Sequence, residues 1–290
     1  MIKNILITGA KGQLGSELSE LYALYSEFNF FPTDIDELDL TDKKAVSDFV
    51  GANQIDCIVN CAAYTAVDRA EDDVELCYKI NRDAVKNLAE AACGKAIVIH
   101  VSTDYVFDGK ANLPYTETNP TNPQSVYGKS KREGEEVLLS VCPQSIIIRT
   151  AWLYSTYGNN FVKTMLRLTK ERPELNVVSD QKGTPTYAAD LAQAILSIIR
   201  YTEKENQLHP GIYHYSNAGQ TSWFNFTEKI TQLAEIKTCQ VNPITTEQYP
   251  TKAARPMYSV LDKTKIKETF HLIVPEWEDS LKKCISLLNK

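Results

Sequence analysis

Two short stretches, Ile97-Val98-Ile99 and Ile146-Ile147-Ile148, run without a polar interruption, and they narrow the folds open to this chain more than any other feature. A strand with one wet face alternates apolar and polar residues. These do not, so both faces are buried, as happens when helices cover the two sides of a parallel sheet. Residues 4–8, 28–33, 56–60, 96–101 and 145–149 are predicted as its strands. Between the first two, Leu14, Leu18, Leu21, Tyr22 and Tyr25 recur at helical spacing, which predicts a crossover helix laying that stripe on the sheet. Residues 74–93 behave similarly. The expected fold class is α/β, a doubly wound Rossmann-type parallel sheet.

At 290 residues the chain is near the size where single cores split into lobes. The net charge of −6, with no basic run, gives no electrostatic footprint for nucleic acid. No apolar run approaches a membrane span, and the amino terminus enters an apolar strand directly, without a charged leader. Seven cysteines, at 57, 61, 77, 93, 142, 239 and 284, are odd in number and scattered. Free thiols and a reducing, cytoplasmic setting are therefore expected. The four histidines lie far apart and form no metal-ligand spacing.

Gly9, Gly12 and Gly15 stand between the first predicted strand and its helix, where each has a distinct use. Gly9 supplies a tight turn, Gly12 lets backbone approach a pyrophosphate closely, and Gly15 lets helix meet strand. The helix amino terminus, with Gln13 and Leu14, then offers unpaired N–H groups to phosphates. Asp34 follows at the end of the second strand, placed to accept from ribose hydroxyls. A carboxylate there favours NADH by repelling the 2′-phosphate of NADPH, while Lys11 partly offsets this. The Gly-x-x-Gly-x-x-Gly spacing resembles that of extended short-chain dehydrogenases. Two further segments fit: Asp39-Leu40-Thr41-Asp42, a loop reaching toward an adenine, and Ala62-Ala63-Tyr64 after a strand, where a dinucleotide can lie.

Beyond about residue 150 the pattern loosens, punctuated by Pro173, Pro185, Pro210, Pro243, Pro250, Pro256 and Pro275. A smaller C-terminal substrate-binding lobe is expected here. Val177-Val178-Ser179 and the helical stretch 188–200 still resemble elements of the first lobe. The predicted division is therefore 1–151 with 176–208 for the dinucleotide-binding domain, and 152–175 with 209–290 for the second lobe.

The run Val101-Ser102-Thr103-Asp104-Tyr105 leaves the carboxyl end of a buried strand, where ligands of open α/β sheets bind. Tyr127 and Lys131 stand four residues apart, on one face of a predicted helix. A lone phenol has a pKa of about 10 and is a poor proton-transfer group at neutral pH; a nearby fixed cation lowers it. The pair then makes a tunable acid and base, with Thr103 polarising a substrate carbonyl.

Taken together, Ser102-Thr103-Asp104-Tyr105-Val106-Phe107-Asp108-Gly109, Val126-Tyr127-Gly128-Lys129-Ser130-Lys131 and Arg149-Thr150-Ala151-Trp152 closely resemble the dTDP-4-dehydrorhamnose reductase family. The likeness continues through Asn160-Phe161-Val162, residues 180–186, Tyr213-His214 and Ser222-Trp223 to Arg255-Pro256. It implies reduction, by NADPH or NADH, of the 4-keto group of a dTDP-linked 6-deoxyhexose, giving dTDP-L-rhamnose for cell-surface polysaccharide. It also implies that Tyr127 is the proton donor, Lys131 its partner, and Thr103, Asp104 and Trp152 the lining of the sugar site, with Tyr105 beside them. Arg255 is a candidate for a diphosphate contact, since a guanidinium pairs phosphate oxygens bidentately; a surface ion pair is the alternative. Some family members join two subunits through magnesium held by glutamates. This chain keeps Glu17 but has Ala189 where the second glutamate falls, so a homodimer and a metal stay open. A related dehydratase or epimerase shares the fold, although dehydratases carry an acid where Tyr105 stands. A non-catalytic binding module, like the regulatory subunit of methionine adenosyltransferase, is a further alternative.

Overall fold

The computed structural model describes residues 2–289. Side chains that alternate along each strand sort into two separate apolar layers. Ile5, Ile7, Val59, Ile99, Ile146 and Ile148 pack on one face with Leu14, Leu18, Leu191, Ile195 and Ile199. Leu6, Ile58, Val98 and Ile147 pack on the other with Val46, Val50, Leu88 and Leu138. Burying one such side chain contributes about 1.5–3 kcal/mol. Both layers are therefore needed, which is the physical content of the uninterrupted apolar triplets.

The strands are β1 (Asn4–Thr8), β2 (Asn29–Thr33), β3 (Cys57–Asn60), β4 (Ile97–Thr103), β5 (Ile146–Thr150) and the short Gly211–His214. All pair in parallel, in the order β2-β1-β3-β4-β5 followed by Gly211–His214. The helices are α1 (Gln13–Ser19), α2 (Lys43–Ala52), α3 (Val74–Tyr78), α4 (Ala84–Ala92), α5 (Val126–Val141), α6 (Phe161–Glu171) and α7 (Ala188–Glu205), with three more to the carboxyl end. Helices α1 and α7 pack together on one side of the sheet; α2, α4 and α5 cover the other. The doubly wound parallel sheet is as expected.

The predicted crossover helices are shorter than their apolar stripes suggest. Helix α1 stops at Ser19, and Tyr22–Tyr25 forms a separate 3-10 turn that still delivers Tyr25 to the same apolar layer. Residues 74–93 form α3, a π-helical turn at Lys79–Asp83 and α4. That turn presents Asn81, whose carbonyl lies so close to α5 that a Cβ at Gly134 would stand 2.1 Å from it. The Asn81 amide bridges Tyr64 and Ser130, donating to the Tyr64 carbonyl at 3.1 Å and to Ser130 Oγ at 3.0 Å. Such π turns often sit beside functional sites.

Two strand assignments differ from expectation. The strand containing Val177 and Val178 is Glu174–Val178, and it pairs with Gln240–Ile244 outside the six-stranded sheet. Its exposed Glu174 and Asn176 alternate with covered residues, the signature of a one-sided strand, and Val177 packs with Phe226, Ile230 and Trp277. Conversely Gly211–His214, expected in the second lobe, is the edge of the central sheet. Four residues led by glycine carry too short a signal to show this in the sequence. Helix α7 packs against α1, as its predicted place beside the first elements requires. Among the described residues, no helix is long and apolar enough to cross a membrane.

Candidate active site

The strand order reverses between β1 and β3, and at such a point the crossovers leave to opposite sides and open a crevice at the carboxyl ends of the strands. A cleft of about 860 Å³ lies there, within the range of small-molecule sites. Of the residues singled out in the sequence, Gly9, Gly12, Gln13, Leu14, Asp34, Asp39, Leu40, Ala62, Ala63, Thr103, Asp104, Tyr105, Tyr127, Lys131 and Trp152 line this one cleft. Gly15, Tyr64 and Arg255 stand outside its lining.

At one end the backbone is tight. Gly9 has φ +65°, and a Cβ on it would come within 2.8 Å of the Ala62 nitrogen, so only glycine fits. Gly15 supports the turn from behind, since its Cβ would stand 2.4 Å from the Gly9 carbonyl. Gly12 is different: its nearest neighbour for a Cβ is 3.2 Å away, and its open side faces the cleft. The Asp34 carboxylate accepts from the Lys11 backbone N–H at 3.0 Å, clipping the turn to β2. The Lys11 ammonium itself is paired with Asp36 and Glu37 at 3.1 and 3.0 Å, two acids that belong to no motif in the sequence. Asp39 accepts from the Thr41 N–H at 2.8 Å, and the Leu40 carbonyl from Asn87 at 2.9 Å, so the adjoining loop is fixed to α4.

At the other end, Thr103 closes β4 and begins a 3-10 turn, its hydroxyl accepting from the Tyr105 N–H at 3.2 Å and donating to Asp104 Oδ1 at 3.0 Å. Burial pushes the Asp104 carboxyl up to about 6, against the opposing hydroxyls of Ser259 and Thr103. Its Oδ2 is buried without a hydrogen-bond partner among the described residues. Helix α5 starts with Ser125, whose hydroxyl accepts from the Gly128 N–H at 3.1 Å. A Cβ on Gly128 would stand 2.3 Å from the Tyr105 carbonyl. The helix thus begins flush with the Thr103 turn, and the Tyr127 ring meets that of Tyr105 edge-on at 5.5 Å.

Tyr127 is 9% and Lys131 2% exposed, and their electrostatics depart from the sequence expectation. Burial raises the Tyr127 phenol above its ordinary value, with the Thr103 hydroxyl drawing it back. Lys131 is not among the groups that move it; its Nζ donates to the Val101 carbonyl at 2.7 Å and lies 3.3 Å from His100 Nε2. Lys131 is itself pulled down to about 8 by burial, which outweighs the opposing charge of Glu135. Glu135 stands one turn beyond Lys131 on α5, an interval legible in the sequence, whereas His100 comes from β4 and no spacing supplies it. Period-two counting along β4 points His100 away from Ile99, but nothing local names its partner.

Trp152 has φ +49°, a strained backbone state for a bulky residue. Its ring stacks on Trp223 at 3.5 Å and lies over Gly183, whose Cβ would stand 2.5 Å from it. The Tyr64 hydroxyl donates to Asp73 at 2.9 Å, and its ring packs in the cluster behind Tyr127. Arg255 pairs with Asp68 at 2.5 Å, which is the ion-pair alternative. Glu17 is buried and accepts from the Ser155 hydroxyl at 2.5 Å. No three metal-ligating side chains converge among the described residues. With Glu17 so engaged and Ala189 supplying no donor, the residues present do not fit a glutamate-held magnesium.

Comparison with known proteins shows the family. The family described as the RmlD substrate binding domain matches residues 3–289. A dTDP-4-dehydrorhamnose reductase of Aggregatibacter actinomycetemcomitans is 44% identical, over 96% of this chain and 97% of that protein. A crystal structure of a dTDP-4-dehydrorhamnose reductase from Clostridium acetobutylicum superposes with a TM-score of 0.93 at 45% identity, covering 99% of this chain and all (100%) of that one. Another, from Bacillus anthracis in complex with NADP, has a TM-score of 0.93 at 40% identity, with 99% and 100% covered. By sequence over nearly its whole length and by fold, this chain belongs to the RmlD substrate-binding family, the family of the dTDP-4-dehydrorhamnose reductases.

Proposed function

We propose that this chain reduces the 4-keto group of dTDP-4-dehydro-β-L-rhamnose to give dTDP-L-rhamnose, using NADPH or NADH, in a cytoplasmic setting. The observation that carries the reading is that one cleft joins a glycine turn at one end to Tyr127, Lys131 and Thr103 at the other. The backbone of Gly12, Gln13 and Leu14 holds the pyrophosphate, Asp34 the adenosine ribose, and Ala62 and Ala63 leave room for the dinucleotide between. When bound, the nicotinamide supplies the hydride.

The remaining work falls to the chain. Tyr127 stays protonated at neutral pH because burial raises its phenol, so it is an acid ready to protonate the carbonyl oxygen as negative charge develops there. Thr103 hydrogen-bonds the same oxygen and holds it beside the phenol. Asp104 accepts a sugar hydroxyl with its unpartnered Oδ2, and the face of Trp152, fixed by Trp223, packs against the substrate. Lys131 offsets the phenolate charge left after proton transfer and orients the nicotinamide ribose. All seven cysteines are free, which fits a reducing compartment.

The test is turnover. Purified protein is mixed with dTDP-4-keto-6-deoxy-L-mannose and NADPH or NADH, with and without a chelator, and loss of reduced-cofactor absorbance is followed. Turnover unaffected by the chelator is expected; binding of both ligands without turnover would favour the non-catalytic module instead.

A further inference from the structure

Beneath the cleft a line of buried polar groups runs from the glycine turn to Lys131, and its donors and acceptors can be assigned one by one. The Ala62 backbone N–H can only donate, and it donates to Asn60 Oδ1 at 3.2 Å. Thr8 Oγ1 donates to the same oxygen at 2.7 Å. The Asn60 amide orientation is thereby set, and its Nδ2, a pure donor, faces His100 Nδ1 at 2.9 Å. Nδ1 must therefore be the accepting nitrogen. A fully buried imidazole is held neutral, since burial takes its pKa well below the usual value. A neutral ring has one N–H, so it sits on Nε2.

That N–H faces Lys131 Nζ at 3.3 Å. An ammonium has three N–H groups and no acceptor, so contact with the imidazole would set donor against donor. An amine has two N–H groups and a lone pair: one N–H serves the Val101 carbonyl at 2.7 Å, and the lone pair can take the imidazole N–H. We infer that His100 is a positioning residue, oriented by Asn60, whose Nε2–H favours the uncharged amine of Lys131 and so readies this lysine to release a proton during the reaction cycle. This rests on Lys131 belonging to the proton-handling pair. When the Tyr127 phenolate recovers its proton, an N–H bond of Lys131 breaks, an O–H bond forms at Tyr127, and the electron pair left on Nζ accepts from His100; water later restores the lysine proton. The other groups that bear on Lys131 are Glu135 on its own helix, which favours the charged form, and the thiols Cys61 and Cys77. None of these replaces the imidazole as a donor to the amine.

The experiment uses the whole chain without cofactor or sugar. Long-range proton–nitrogen correlation on ¹⁵N-histidine protein reads the His100 tautomer, with the signal assigned by its loss in His100→Gln. Protonation on Nε2 alone is expected; protonation on Nδ1 alone, or on both nitrogens at pH 7, overturns the inference. Titration of the Lys131 Cε carbon in ¹³C-lysine protein is the second readout. His100→Phe removes the donor but keeps a ring, and should raise the Lys131 midpoint by about one pH unit. His100→Gln, which can present an amide N–H, should stay nearer the parent value. An unchanged or lowered midpoint in His100→Phe sinks the assignment, and if that variant does not fold the tautomer still decides. Absence of turnover would refute the reductase reading while leaving these two measurements standing.

Discussion

Arg149 grips Glu135 through two parallel bonds, Nε to Oε1 at 2.9 Å and Nη2 to Oε2 at 2.7 Å, with both side chains cut off from solvent. The pair ties β5 to α5 one turn beyond Lys131, and the guanidinium also lies over the Phe107 ring at 5.1 Å. It is the fixed point from which the helix start reaches Thr103. Removing one partner of a buried pair strands a charge, at a cost of about 3–5 kcal/mol. Glu135→Ala should lose about that much in urea unfolding, whereas Glu135→Leu combined with Arg149→Met should recover most of it. A loss under about 1 kcal/mol in the single variant would show that the helix is held by its apolar face instead.

Tyr127→Phe removes a hydroxyl and leaves a ring packed with Ala70 and Cys77. Folding and dinucleotide affinity by calorimetry should be unchanged, and turnover should fall about 10²–10⁴-fold. Near-parental turnover would remove Tyr127 from the proton step.

Gly12 and Gly15 separate binding from folding. Gly15→Ala drives a Cβ to 2.4 Å from the Gly9 carbonyl and 2.5 Å from Ala10 Cα, and such overpacking costs about 1–3 kcal/mol. A lower melting temperature is expected. Gly12→Val has more room on the protein side, so it should melt close to the parent yet bind the dinucleotide weakly; equal affinity by calorimetry would displace the pyrophosphate from this turn.

Asp104 sets an acid limb. Its folded value, about 6, is raised above the unfolded carboxylate value of about 3.9, so it is protonated below that pH and a poorer acceptor for a sugar hydroxyl. The catalytic efficiency kcat/KM should fall as pH drops through about 6, and Asp104→Asn should flatten that limb while lowering the plateau. The linked stability runs the opposite way. A raised pKa means the folded chain holds the proton more tightly, so this contribution is full below about 4 and is lost as pH rises through 6. Urea midpoints of parent and Asp104→Asn between pH 4 and 7 should converge at the acid end.

The choice of dinucleotide is expected to turn on Asp34 and the Lys11 pairing. Freeing the ammonium by Asp36→Asn combined with Glu37→Gln, or deleting the carboxylate by Asp34→Ala, should each shift the kcat/KM ratio toward NADPH. A ratio unmoved in both variants would separate these residues from the 2′-position.

What could be read ahead of the structure follows from the range of the forces involved. Period-two and helical apolar patterns are local, so β1 to β5 and the two-sided burial were legible. The glycine turn was legible too, because its three positions are fixed within one strand-turn-helix unit. Gly211–His214 and Glu174–Val178 were misplaced because pairing partners come from distant sequence. The same limit hid the Lys131 surroundings: four-residue spacing puts it on the Tyr127 face, but Val101 and His100, from another strand, decide where Nζ points. Nor does local spacing show that Arg255 meets Asp68, which lies far back in the chain.

The stacked Trp152 and Trp223 rings have a practical consequence. The chain holds three tryptophans, and two of them form a near-parallel pair, 3.5 Å apart, of which Trp152 lines the cleft. Indoles this close couple their electronic transitions, so near-ultraviolet circular dichroism carries a built-in gauge of whatever settles on that platform, with no dye or label attached.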